Sequence, residues 1–245
     1  RSTLDGTLFP TRRSSDLGLH GGAAALLVAA WHRREGRPAL CVAPTREAAQ
    51  QFADDLEIWL GAECVAYLPQ QEVLAFDRQS PDPDGVGAFL AGLDALRAGR
   101  VGLAVTSLYG ARQRVIAPGR LAAAVIALRV GQRCDPERLG AELAARGYRP
   151  AGMVARPGDF ARRGGLIDVF APGERPLRLE FFDDELVSLR SFDVETQRSV
   201  ERLEEGRLVP VSHLVLDDEA ALAALTRLES AVAAGEIEAA ERDDL

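Results

Sequence analysis

Phe160-Ala161-Arg162-Arg163-Gly164-Gly165-Leu166-Ile167-Asp168-Val169-Phe170, continued as far as Asp193, is the most informative stretch of the chain. Within it Leu177, Leu179 and Phe181 alternate with Arg178, Glu180 and Phe182. A period of two belongs to a strand with one face buried. Ala171-Pro172-Gly173-Glu174 and Asp183-Asp184 are turn formers that separate the apolar runs. Residues 166–170, 177–182 and 186–192 therefore read as a three-stranded antiparallel meander. Phe181 and Phe192 are expected in its core. Two adjacent arginines, Arg162 and Arg163, stand at its entrance.

Upstream of the meander the texture is α/β. Residues 21–35 are rich in Ala and Leu and are closed by Gly36, a good helix with a glycine stop. Residues 39–43 form a short apolar run typical of a buried strand. Thr45 caps a helix whose Phe52, Leu56, Trp59 and Leu60 share one face. Residues 64–68 and 101–106 read as further strands. Between them lie a Pro- and Asp-rich loop, residues 69–84, and a helix with Phe89, Leu93 and Leu96 inward. Strands alternating with helices indicate a parallel sheet.

Near Pro118-Gly119 the pattern changes. A strand at 125–130 is followed by Asp135-Pro136, an N-cap with proline at the first helical position. That helix, carrying Leu139 and Leu143, runs toward Gly147. Residues 119–206 are thus an α+β unit inserted into the α/β domain of residues 18–118, and the chain returns to the first domain at 207–245. Asp217 is expected to cap a last helix with Leu222, Leu225, Leu228 and Val232 inward, followed by an acidic tail. Residues 1–17 lack sustained periodicity and look like translated sequencing-adapter read-through, a non-native leader.

Composition narrows the function. The chain has 245 residues, 47% hydrophobic and 27% charged, with no apolar run long enough for a membrane span. Cys41, Cys64 and Cys134 are odd in number without CxxC spacing, which suits reduced thiols in a cytoplasmic protein. His20, His32 and His213 are scattered, so no metal site is expected. Every basic residue is arginine. Net charge is −8, yet residues 111–163 carry eleven Arg against four Asp/Glu, while residues 193–245 carry five against fourteen. An acidic chain is a poor general nucleic-acid binder. Its local basic block suits an acidic partner surface.

Gly18-Leu19-His20-Gly21-Gly22-Ala23-Ala24-Ala25 has the spacing of a P-loop frame. A working loop needs Lys on the phosphates and Ser/Thr on magnesium. Ala24 and Ala25 stand there instead. The segment is either a plain Gly-Gly helix start or the remnant of a nucleotide site built on Gly18, Gly21 and Gly22. No catalytic residues, nucleotide binding or cofactor is expected.

The decayed loop, Ala43-Pro44-Thr45, Leu74-Ala75-Phe76-Asp77 with Ser80-Pro81, the meander, Gln197-Arg198 and Leu208-Val209-Pro210 follow in this order. Together they resemble the N-terminal region of the bacterial transcription-repair-coupling factors, itself similar to the excision-repair subunit UvrB. The resemblance covers residues 18 to 235. It implies a P-loop-helicase-like sheet domain with a degenerate nucleotide site. The inserted α+β domain would bind the damage-recognition ATPase UvrA during transcription-coupled nucleotide excision repair.

The family's arginine contacts map to Arg149 and Arg163, with Arg162 and Arg156 nearby. UvrB has an arginine where this chain has Ala161. In the whole protein the resemblance further implies RNA polymerase and DNA as partners, ATP and magnesium in a C-terminal translocase, and an autoinhibitory C-terminal domain. The alternative is a UvrB-like ATP-dependent damage-verification subunit. Ala24-Ala25 and the shortage of aromatics between Tyr67 and Phe89 for a strand-inserting hairpin argue against it.

Overall fold

A computed structural model describes residues 21–71, 83–213 and 218–235. Several expected features lie outside them: residues 1–17, Gly18, most of the 69–84 loop, the Asp217 cap and the acidic tail. Mixed α/β architecture is present, with parallel and antiparallel sheets. Two compact units divide the described residues, 21–71 with 92–114, and 83–91 with 115–213 and 218–235. Among the described residues no helix is long and apolar enough to cross a membrane.

The first unit contains α1 (Ala23–Glu35), β1 (Ala39–Ala43), α2 (Arg46–Leu60), β2 (Val65–Leu68) and β3 (Leu103–Ser107), with the C-terminal part of α3 (Pro83–Arg97). Its three strands are parallel in the order β1-β3-β2. β3 is central and buried along its whole length, as a continuous apolar run in a parallel sheet should be. Ala25, Ala29, Ala49 and Ala53 pack with Leu56, Val65, Leu103 and Val105, and their small side chains let α1 and α2 approach the sheet closely. The Thr45 hydroxyl accepts from Ala48 N at 3.2 Å, and Gly36 closes α1 in the left-handed region. Asp94, fully buried, is held by Arg97 at 2.7 Å and Arg100 at 2.9 Å. A carboxylate taken out of water needs such partners.

The second unit is built on a six-stranded sheet ordered β10-β9-β8-β7-β6-β5. The meander is its centre: β7 (Leu166–Val169), β8 (Leu177–Phe182) and β9 (Glu185–Phe192) pair antiparallel in sequence. Asp183, at φ 57°, turns the chain between β8 and β9. Flanking strands β5 (Arg149–Pro150), β6 (Asp159–Arg163) and β10 (Ser199–Leu203) complete the sheet. The two entrance arginines are thus inside a strand, and Gly164-Gly165 is the β6–β7 turn.

A two-stranded ladder joins β4 (Ile126–Arg129) to β11 (Glu205–Leu208), which crosses the expected boundary between residues 206 and 207. Leu208 and Val211 enter the same core as Leu128, Ile167, Leu179, Leu186 and Leu189. α5 (Pro136–Ala145) lays Leu139 and Leu143 on it, and the Asp135 carboxylate caps α5 through Glu137 N at 2.8 Å. Tyr148, buried in this core, donates its hydroxyl to the Val209 carbonyl at 2.6 Å.

One expectation fails. On α6 (Asp218–Ala233) Leu222 and Leu225 are 67% and 57% exposed, and Leu228 and Val232 are only half buried. Periodicity identifies an apolar helix face but not the presence of a surface to receive it. Among the described residues nothing buries that face.

Candidate functional site

The pleat of the six-stranded sheet sorts the arginines. Phe160, Ile167, Val169, Leu177 and Leu179 lie on the face that carries the core. Side chains one residue out of phase point the other way. Asp159, Ala161 and Arg163 therefore share the opposite face, joined in register by Leu166, Asp168, Arg178 and Glu180. β5 runs parallel to β6 with Arg149 opposite Asp159, so Arg149 is on that face too. Arg149 and Arg163 stand about 13 Å apart along the strand direction, given the rise per residue.

Arg162 has the opposite phase. It pairs with Glu137 of α5 at 3.0 Å, away from Arg149 and Arg163. The structure therefore brings together Arg149 and Arg163 but not Arg162. Arg156 is exposed in the 151–158 segment, whose Ala155 and Arg156 amides donate to the Asp159 carboxylate. Val154 anchors this segment by packing with Ala161 and Phe192.

Neither carboxylate that could pair internally with Arg163 does so. Arg178 takes Asp168 in a two-pronged contact at 2.7 and 2.9 Å, and Arg149 meets Asp159 at 3.4 Å. Arg163 donates instead to the Gly152 carbonyl at 2.6 Å and stays exposed. The Arg149–Asp159 pair leaves the Arg149 side chain 43% exposed. Asp159 is buried but also accepts from the Ala155 and Arg156 amides, so its carboxylate keeps partners when an incoming carboxylate takes Arg149.

A signal missed in the sequence is the row Asp168–Arg178–Arg190–Arg202, in register across β7 to β10. Like charges directly opposite are destabilising. Asp168 offsets the first: its hydrogen bonds raise the Arg178 pKa, and the guanidinium lies 4.9 Å over the Phe192 ring. Glu180 lies 3.7 Å from Arg190, and Arg202 is exposed at the end of the row. Each arginine has a leucine beside it in its own strand, but only the register aligns the three.

The remnant loop is described from Gly21 onward. Gly21 adopts φ 55°, Gly22 precedes α1 and supplies no capping side chain, Ala24 is half buried and Ala25 is buried in the first unit's core. The first turn of α1 thus presents backbone and methyl groups. Among the described residues no group of three His, Cys, Asp or Glu could hold a metal ion.

Residues 126–214, which contain the whole six-stranded sheet, match the family model of the UvrB interaction domain. Across 210 residues the chain is 38% identical to the transcription-repair-coupling factor of Myxococcus xanthus. The chain is thus similar to transcription-repair-coupling factors over most of its own length. Similar proteins of that name occur in Escherichia coli K12, 35% identical over 205 residues, and Bacillus subtilis 168, 29% identical over 219. These alignments cover 82%, 83% and 89% of this chain. The chain spans 18% of the length of each of these relatives. Arg149, Arg156, Arg162 and Arg163 all fall inside its UvrB interaction domain.

Proposed function

We propose that the chain is a docking module that recruits UvrA to transcription-coupled nucleotide excision repair, with Arg149 and Arg163 as its principal contacts. The shared face of these two arginines, Arg149 half-buried and Arg163 exposed, is the observation that carries this reading. Arginine offers a rigid fork of donors for carboxylates and is enriched among interface hot spots. A sheet face fixed by ladder hydrogen bonds presents both guanidiniums with little ordering left to do on binding. Arg156 borders the same surface. Arg162 sits outside it and contributes through α5.

In this reading the first unit resembles a P-loop-helicase-like domain without catalytic groups, and the fragment needs no cofactor. The alanines at 24 and 25 can supply neither a cation for phosphate nor a ligand for magnesium. ATP, magnesium, DNA and RNA polymerase would be handled elsewhere in the whole protein, and a C-terminal domain would cover the UvrA face until engagement. The relatives named above are coupling factors, which favours docking over damage verification by an ATP-dependent subunit.

The test is a UvrA pull-down by this chain and by its Arg149→Ala/Arg163→Ala variant. Capture is expected from the parent and not from the variant, with identical circular dichroism. Full capture by the variant would overturn the assignment.

A further inference from the structure

We infer that Gln197 is a positioning residue, a latch whose side-chain amide holds the 151–158 segment so that the Gly152 carbonyl orients the Arg163 guanidinium. The inference rests on the docking reading above. Gln197 lies in the turn between β9 and β10 and adopts φ 56°, one of two non-glycine residues with positive φ among the described residues. Glutamine rarely enters that region, so its presence there calls for a reason.

The latch is fixed at its base. The Gln197 backbone N–H donates to the Asp193 carbonyl at 2.7 Å, and Arg178 donates to the Gln197 carbonyl at 3.0 Å. Arg178 is itself held by both oxygens of Asp168. From this base the Gln197 side-chain nitrogen donates to the Val194 carbonyl at 2.8 Å and to the Val154 carbonyl at 3.1 Å. Both acceptors are carbonyls, so the nitrogen of the amide and not its oxygen must face them. Val194 belongs to the same turn, which the Asp193 contacts already close. Val154 is 43 residues away in sequence, and the turn gains nothing from reaching it.

At its far end the latch holds the middle of the segment. Val154 is fully buried against Ala161 and Phe192. The Ala151 amide donates to the Phe160 carbonyl at 2.8 Å, and the Ala155 amide donates to Asp159. Between these ties the Gly152 carbonyl, two residues from the latch, accepts from Arg163 at 2.6 Å. That contact occupies one donor of the guanidinium and leaves the rest of the fork for a carboxylate. An arginine ordered before binding loses less side-chain freedom on docking.

Gln197→Gly and Gln197→Asn both accept a positive φ, so the turn survives, while neither side chain reaches Val154. Amide hydrogen exchange of residues 151–158 and urea unfolding are measured on the free chain. UvrA is titrated with the parent, both variants, Arg163→Ala and Gln197→Gly/Arg163→Ala. Both Gln197 variants are expected to retain cooperative unfolding, exchange faster in the segment and bind UvrA about three- to tenfold more weakly, the effect of one side chain left unordered. In the double variant the loss is expected to match that of Arg163→Ala alone to within about twofold, as for residues acting through one contact. Unchanged exchange, parental binding by both Gln197 variants, or a Gln197 loss that adds in full to that of Arg163→Ala overturns the latch and leaves the docking reading standing. Parental binding by Arg163→Ala overturns the docking reading instead, and faster exchange would then still establish that Gln197 holds the segment.

Discussion

On one face of the six-stranded sheet Ile167, Leu179, Leu186 and Leu189 are fully buried. On the other, carried by the same or adjoining strands, Arg163 and Phe182 are exposed and Arg149 is half-buried around a compensated Asp168–Arg178 pair. The first face is held by apolar area, which is indifferent to the identity of any partner. The second spends charge on cross-strand positions where like neighbours repel. Departures from local consistency of this kind are expected where a surface serves recognition rather than stability.

The contrast breaks most readily at the core. Leu179→Ala should lower stability by about 3 kcal/mol, read as a shifted urea midpoint; loss of UvrA binding should appear only where the chain unfolds. Asp168→Ala comes next, at about 2 to 3 kcal/mol, because it strands a largely buried guanidinium; Arg178 is 21% exposed, which softens the loss. If that variant unfolds at the parental midpoint, the Asp168–Arg178 pair is not what makes the arginine row tolerable.

The smallest effect concerns pH. Asp193 is held below its usual carboxylate range by the Thr196 amide and hydroxyl, at 2.8 and 2.7 Å. A depressed acid adds stability that is fully present above its unfolded pKa and lost as pH falls through the folded one. Asp193→Asn should flatten the midpoint-versus-pH curve below about pH 4 and leave neutral pH unchanged.

Much of this was legible from local chemistry. The meander, the Thr45 and Asp135 caps and the burial of Phe181 and Phe192 follow from periodicity and turn residues close in sequence. β6 is not legible as a strand because Asp159-Phe160-Ala161-Arg162-Arg163 does not alternate polar and apolar residues. The Arg178–Arg190–Arg202 row depends on register between strands. The shared phase of Arg149 and Arg163 depends on a parallel β5–β6 pairing that closes over a loop. Arg162 shows the limit of sequence proximity: it adjoins Arg163 yet belongs to the other face. The periodicity of α6 shows its apolar stripe but not that Leu222 and Leu225 are exposed.

The division between the packing face and the docking face is tested most directly by one paired measurement on Arg163→Glu. Its affinity for UvrA and its urea midpoint would be taken from the same preparation. The expected result is a loss of at least about 2 kcal/mol in binding free energy, as for a central hot spot, with the midpoint within about 0.5 kcal/mol of the parent, as for a surface substitution. Unchanged affinity, or a loss that appears only together with a collapsed midpoint, would contradict it.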